Sequence, residues 1–287
     1  MHHATPLAKR ARVATYRSLL FVPGDKPDRF SKALASGADA ICIDLEDAVA
    51  TDQKAAARQA TAAFLADSGA ADIDVVVRLN DPDSPEWKAD IGAVSRNRPD
   101  ALMIPKVKTE DEVKWVADVF GGDIRLIPLI ETAQGLDNVT WIAAATPAVV
   151  ALVFGGFDLA LELGAEPEWD ALLYARSRVV HAAALNRITA LDMPSRDLED
   201  PDALREEAER ARRMGFFGKT AIHPDQVPVI AEVFTPSAQK VAWAKRVVAA
   251  LSGAQDGAVN VDGKMVDRPI AEAAKRILEA VGEDQPA

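Results

Sequence analysis

Eight short apolar runs recur between positions 17 and 235, separated by helix-like or turn-like segments, and this alternation most narrows the folds open to the chain. The runs are Arg17–Gly24, Ala40–Leu45, Asp74–Asn80, Ala101–Val107, Arg125–Glu131, Val149–Phe154, Arg187–Met193 and Gly218–Pro224. Most are continuously apolar rather than alternating, the pattern of strands buried on both faces in a parallel sheet under helices. Helical patterns read over Pro27–Ser36, Asp52–Ala66, Glu110–Phe120, Ala171–Leu185 and Pro201–Met214. The count and spacing predict a (β/α)8 TIM barrel. A doubly wound open sheet is the competitor, but no Gly-rich dinucleotide fingerprint follows the first strand.

After position 235 the pattern changes to a C-terminal helical extension, 236–287: helix Pro236–Leu251, link Gly253–Gly257, a turn-rich element Val259–Asp267 and helix Ile270–Val281. So short a tail is expected to lack a core of its own and to pack on its barrel or on a neighbouring subunit. Residues 1–16, basic and free of acids, read as a flexible tail ahead of a catalytic barrel at 17–235.

A net charge of −11 and a pI near 4.9 argue against nucleic-acid binding. The single cysteine, Cys42, lies in an apolar run and reads as a core residue. No apolar run has the length of a membrane span, so a cytoplasmic enzyme is the expectation.

The candidate site centres on Ile127-Pro-Leu-Ile-Glu-Thr132. This strand ends in a carboxylate, Glu131, and the next, Val149–Phe154, ends in Gly155-Gly-Phe-Asp158. Two strand-end carboxylates suit Mg²⁺, which takes oxygen ligands and keeps water positions open for substrate. The alternative for either acid alone is a cap on the following helix. Asp44, Glu46, Asp47, Arg78 and Lys106 also fall at strand ends, so a barrel would gather all of them at one rim.

Eight segments carry a resemblance. They are Ser18-Leu-Leu-Phe-Val-Pro-Gly24, Asp44-Leu-Glu-Asp-Ala-Val49, Val77-Arg-Leu-Asn80, Pro105-Lys106, Ile130-Glu-Thr132, Gly156-Phe-Asp158, Gly218-Lys-Thr-Ala-Ile-His-Pro224 and Gly263-Lys-Met-Val-Asp267. In this order they resemble the citrate lyase beta subunit-like branch of the HpcH/HpaI aldolase family, from Arg17 to about Leu278. The stretch Met193-Pro-Ser-Arg-Asp197 departs from the family pattern.

The resemblance implies a Mg²⁺-dependent carbon–carbon lyase acting on malyl-, citramalyl- or citryl-CoA-like thioesters, with an acyl-CoA and a 2-oxo acid as its small-molecule partners. It makes Glu131 and Asp158 the metal ligands and Glu46 an acid supporting the metal through its water shell. Arg78 would polarise the reacting carbonyl or hold a substrate carboxylate, and the Gly155, Gly156, Phe157 turn would meet the oxo-acid carboxylate. Lys26, Arg29 and Lys32 fall in a CoA-contact region, or form a solvated helix face. Asp267 would be an acid/base delivered to the adjacent subunit of a homotrimer or dimer of trimers; its alternative is a helix cap near Pro269. The competing functions are a Mg²⁺-dependent pyruvate aldolase on free 4-hydroxy-2-oxo acids, a malyl-CoA thioesterase and a non-catalytic assembly subunit.

Overall fold

The computed structural model describes residues 15–67, 73–252 and 258–281. Residues 1–14 of the expected tail and the Gly253–Gly257 link lie outside them. The described residues form two compact units that divide after Ala231.

The first unit is a closed barrel of eight parallel strands in sequence order. They are β1 (Ser18–Pro23), β2 (Ala40–Asp44), β3 (Asp74–Arg78), β4 (Ala101–Ile104), β5 (Arg125–Ile130), β6 (Ala151–Phe154), β7 (Thr189–Asp192) and β8 (Gly218–Ala221). Every residue of β2, β4, β6 and β8 is buried, as strands covered on both faces require. The period of two sends Leu19, Cys42, Val76, Met103, Ile127, Leu129, Val153 and Leu191 into one interior cluster. Two residues further along β2, β3, β5 and β6 stand Asp44, Arg78, Glu131 and Gly155. The same alternation therefore turns these four inward, one layer nearer the carboxyl ends of the strands.

The expected runs overshoot the strands at this end. Gly218–Pro224 is strand only to Ala221, and Ala101–Val107 only to Ile104. Lys106, at φ 49°, is left-handed and bends the chain off β4. Helix Trp87–Val94 had no counterpart in the sequence pattern. Its inner face is Trp87, Asp90, Ile91 and Val94, and the acid at a core position hides the period. Asp90 is satisfied there: Oδ2 accepts from Asn80 N and Nδ2, both at 2.7 Å. Tyr16, read with the tail, is 4% exposed, and its hydroxyl donates to Asp74 at 2.5 Å.

The second unit has helix Ala238–Ser252, the antiparallel hairpin β9 (Ala258–Val261) and β10 (Lys264–Asp267), and helix Arg268–Glu279. The expectation that this tail has nothing of its own to close around is corrected. Ala244, Val247, Val248, Val261, Val266, Ala274 and Leu278 are buried together, with Val241, Trp243, Leu251, Ile270 and Ile277 packed around them. The hairpin, read only as a turn-rich element, supplies the apolar wall that two helices alone lack.

Candidate active site

The strand ends determine which acids are spent and which are free. Thr132, not Glu131, caps helix Ala133–Asp137: its Oγ1 accepts from Gly135 N at 2.9 Å. Helix Gly156–Leu163 takes Gly155 as its N-cap residue, which leaves Asp158 in the first turn without a capping bond. Neither acid is consumed as a cap, so the capping alternative fails for both. Among the described residues, Asp158 makes no hydrogen bond or ion pair within the chain.

Two glycines make the close approach possible. A Cβ on Gly155 would lie 2.5 Å from Glu131 Cβ and 2.6 Å from Glu131 Oε2. One on Gly156 would meet Met193 Sδ at 2.4 Å and the Phe154 ring at 2.7 Å.

Asp44 and Arg78 sit side by side in the β2–β3 register. Arg78 Nε donates to Asp44 Oδ1 at 2.7 Å and Nη2 to Oδ2 at 2.6 Å, above the Phe21 ring at 5.0 Å. The side-on edge of the guanidinium is thus taken, and Nη1 lies 3.1 Å from Glu46 Oε2. That oxygen is buried and accepts no hydrogen bond, because the approach is misaligned. Lys106 ties the other side together. Its Nζ donates to Glu46 Oε1 at 2.7 Å, and its backbone N–H donates to Glu131 Oε1 at 2.8 Å.

Burial would raise the Asp44 pKa, but Arg78 outweighs it and holds the carboxyl below its usual range. Burial, with Asp47 alongside, lifts Glu46 to about 7 against the pull of Arg78 and Lys106. Burial and then Glu46 push Glu131 well above the carboxylate range. The two glutamates compete for one proton. Lys106 is held above the usual lysine range mainly by Glu46, against its own burial, which speaks for an ionised Glu46. Glu131 is the firmer upward shift, since no cationic side chain of the described residues contacts it, whereas Lys106 touches Glu46.

These residues open on a cavity of about 290 Å³ whose walls include Phe21, Asp44, Asp47, Arg78, Leu129, Glu131, Gly155, Phe157, Asp158, Met193, Arg196 and Thr220. Among the described residues, no three His, Cys, Asp or Glu side chains converge as a metal cage. Two carboxylates with free oxygens, and a third acid whose buried Oε2 accepts no hydrogen bond, instead fit a hydrated hard cation held by Glu131 and Asp158, with Glu46 reaching its water.

The family model described as HpcH/HpaI aldolase/citrate lyase matches residues 17–224. The chain belongs to this family. Its relatives include the mitochondrial citramalyl-CoA lyase of Rattus norvegicus, 34% identical over 91% of this chain and 85% of that protein. The (3S)-malyl-CoA thioesterase of Cereibacter sphaeroides is 37% identical over 92% and 93%. Among solved structures, protein CitE from Mycobacterium tuberculosis in complex with magnesium, acetoacetate and coenzyme A aligns with a TM-score of 0.79. That pair shares 35% identity over 93% of this chain and 98% of the other.

The HpcH/HpaI barrel brings Arg78, Glu131, Gly155, Phe157 and Asp158 into the wall of one cavity, and Glu46 stands against Arg78 without lining it. Gly156 stands behind it, against Met193 and Phe154. Lys26, Arg29 and Lys32 follow β1 at the same end of the barrel, are exposed, and do not line the cavity. Asp267 belongs to the second unit, where its Oδ1 accepts from Ile270 N at 3.3 Å and caps helix Arg268–Glu279. Sequence reasoning noticed Lys106 without a role; its left-handed backbone is what lets one residue reach both glutamates. It missed Arg196, whose only signal was the divergent Met193–Asp197 stretch.

Proposed function

We propose that this chain is a Mg²⁺-dependent carbon–carbon lyase that cleaves a 3-hydroxyacyl-CoA thioester of malyl-, citramalyl- or citryl-CoA type into an acyl-CoA and a 2-oxo acid. The observation that carries the reading is the pair of carboxylates that no cation of the described residues pairs with, Glu131 and Asp158, beside the neutralised Arg78–Asp44 pair in one cavity. The names of the relatives, a citramalyl-CoA lyase and a structure holding magnesium and coenzyme A, support the same chemistry. Bound between those carboxylates, Mg²⁺ supplies Lewis-acid polarisation of the oxo group.

The chain's own residues do the rest. Cleavage between Cα and Cβ removes the hydroxyl proton, forms the ketone and leaves a thioester enolate that must be stabilised and protonated. Arg78, immobilised by Asp44 and Glu46, keeps a fixed positive charge in the cavity wall. In the Gly155–Phe157 turn the N–H of Gly155 is taken by the Ile130 carbonyl at 2.9 Å, and those of Gly156 and Phe157, at the helix start, are offered to a substrate carboxylate. Lys26, Arg29 and Lys32 meet the phosphates of CoA. Asp267 delivers the proton to the enolate carbon from an adjacent subunit of a trimer or dimer of trimers. Among the described residues no helix is long and apolar enough to cross a membrane, in keeping with a cytoplasmic location.

The thioesterase relative makes hydrolysis of the malyl-type thioester without carbon–carbon cleavage the second reading. A panel of CoA thioesters and free 4-hydroxy-2-oxo acids, with and without Mg²⁺, tests the assignment. Release of oxo acid together with intact acyl-CoA supports the lyase. Free CoA thiol without oxo acid supports the thioesterase, and turnover of the free acids alone supports an aldolase. Mixed oligomers of Asp267→Ala and Glu131→Gln subunits should recover partial activity; mixed oligomers that stay inactive would rule out delivery in trans.

A further inference from the structure

We propose that Arg196 is a specificity residue: it holds a second carboxylate on the oxo-acid half of the substrate, so that the released fragment is a 2-oxo dicarboxylate. The inference rests on the lyase reading.

Arg196 lines the same cavity as Glu131 and Asp158. Its guanidinium carbon lies 3.8 Å over the ring of Phe157, the residue just before Asp158. Stacking uses the flat face of the guanidinium, fixes its plane and leaves the in-plane N–H groups for a carboxylate. No acid of the described residues pairs with it. Asp197, the nearest acid in sequence, turns back to accept from the backbone N–H groups of Glu199 and Asp200 at 2.9 and 3.2 Å. Arg78, the other cation in the wall, is already committed to Asp44 and Glu46.

The ring places the two arginines apart. Arg78 ends β3, Arg196 follows β7, and strands four apart in a closed ring of eight stand on opposite sides of the mouth. Arg196 is therefore on the side of Phe157 and Asp158, and Arg78 is across from it. The charges point the same way. A divalent cation would balance Glu131 and Asp158, Arg78 balances Asp44, and Lys106 takes Glu46 at 2.7 Å, while Asp47 is 54% exposed to solvent. Arg196 pairs with no acid of the described residues, which leaves its guanidinium open to an anionic group of the substrate.

The test is calorimetric titration of the full chain, saturated with Mg²⁺, by pyruvate, by oxaloacetate or 2-oxoglutarate, and by CoA. Wild type is compared with Arg196→Gln and Arg196→Lys. The dicarboxylates should bind the wild type more tightly than pyruvate does. The Gln variant should lose about tenfold for the dicarboxylates alone, and the Lys variant should regain part of it. Pyruvate, CoA and the melting temperature should not change. Equal losses for pyruvate overturn the inference, as does a loss for CoA alone, which would place a carrier phosphate at Arg196. If wild type binds pyruvate as well as the dicarboxylates, the inference fails and the lyase reading stands. If no oxo acid binds in the presence of Mg²⁺, the lyase reading fails and the inference falls with it.

Discussion

The two ends of the barrel both carry polar networks, and they are built to opposite rules. At the amino ends of the strands every acid is matched. Arg125 Nη1 pairs with Asp74 at 2.7 Å and Nε donates to the Asp100 carbonyl at 2.9 Å. Tyr16 donates to Asp74, and Asp100 accepts from Val75 N at 2.9 Å. At the carboxyl ends, Asp44, Glu46, Asp47, Glu131 and Asp158 share, among the cations of the described residues, only Arg78 and Lys106. The first arrangement closes and stabilises the floor. The second leaves charge unbalanced in a buried place, which costs stability and is tolerated where a ligand completes it. The contrast separates a structural network from a site more cleanly than the residue types do, since both ends use Asp and Arg.

Four changes would break or sharpen that contrast. Glu131→Gln should lower activity by more than the ~100-fold that changes behind a metal's ligands typically cost. Calorimetry should show Mg²⁺ binding lost, while the metal-free protein melts no lower, because one of the crowded carboxylates is gone. Asp137→Asn, on the exposed end of the next helix, is the control and should leave both readouts alone. Equal effects of the two would mean that the wrong acid has been assigned.

Gly155→Ala comes next. The new methyl lands on the Glu131 carboxylate, so Mg²⁺ affinity should fall by about 10–100-fold with the charges unchanged. An unaltered Kd would show that Glu131 does not need its place against this turn.

At the floor, Asp74→Asn should do the reverse: about 1–3 kcal/mol of stability lost in denaturant titrations, with kcat per folded molecule intact. A drop in kcat without a drop in stability would erase the distinction between the two ends.

The smallest effect is in the pH profile. Glu46 and Glu131 have folded pKa values raised above the unfolded ones. The folded state therefore binds more protons between about pH 4.5 and 7, and its stability falls as pH rises through that window. Asp44, shifted the other way, acts only below that window, where its stabilising effect is lost. Melting scans should show the metal-free protein losing stability from pH 5 to 7.5, and the gain from added Mg²⁺ growing across the same range. A Mg²⁺ effect independent of pH would place the cation elsewhere.

Much of this was legible in one dimension. The eight apolar runs foretold the barrel, because a period of two with both faces apolar has few other ways to be buried. The same period aligned Asp44, Arg78 and Glu131 on one inner column, so their gathering at a rim followed once the ring was granted. Helix Trp87–Val94 was obscured because Asp90 occupies a core position that only Asn80 and Arg58 make tolerable. The core of the second unit was missed for a related reason: β9 and β10 are short and half exposed, and their apolar side chains count only when paired.

The sequence by itself determined the architecture and the identity of the acids, since local periodicity and strand-end position are properties of neighbours in the chain. The tertiary structure alone decided which acids are free. Thr132 and Gly155 take the helix starts, Asp44 consumes one edge of Arg78, and Lys106 bridges Glu46 to Glu131 across positions 60 and 25 residues apart. It also decided that Arg196 stacks on Phe157 without an acid of its own. Charge balance is a sum over groups brought close in space, and spacing along the chain does not carry that sum.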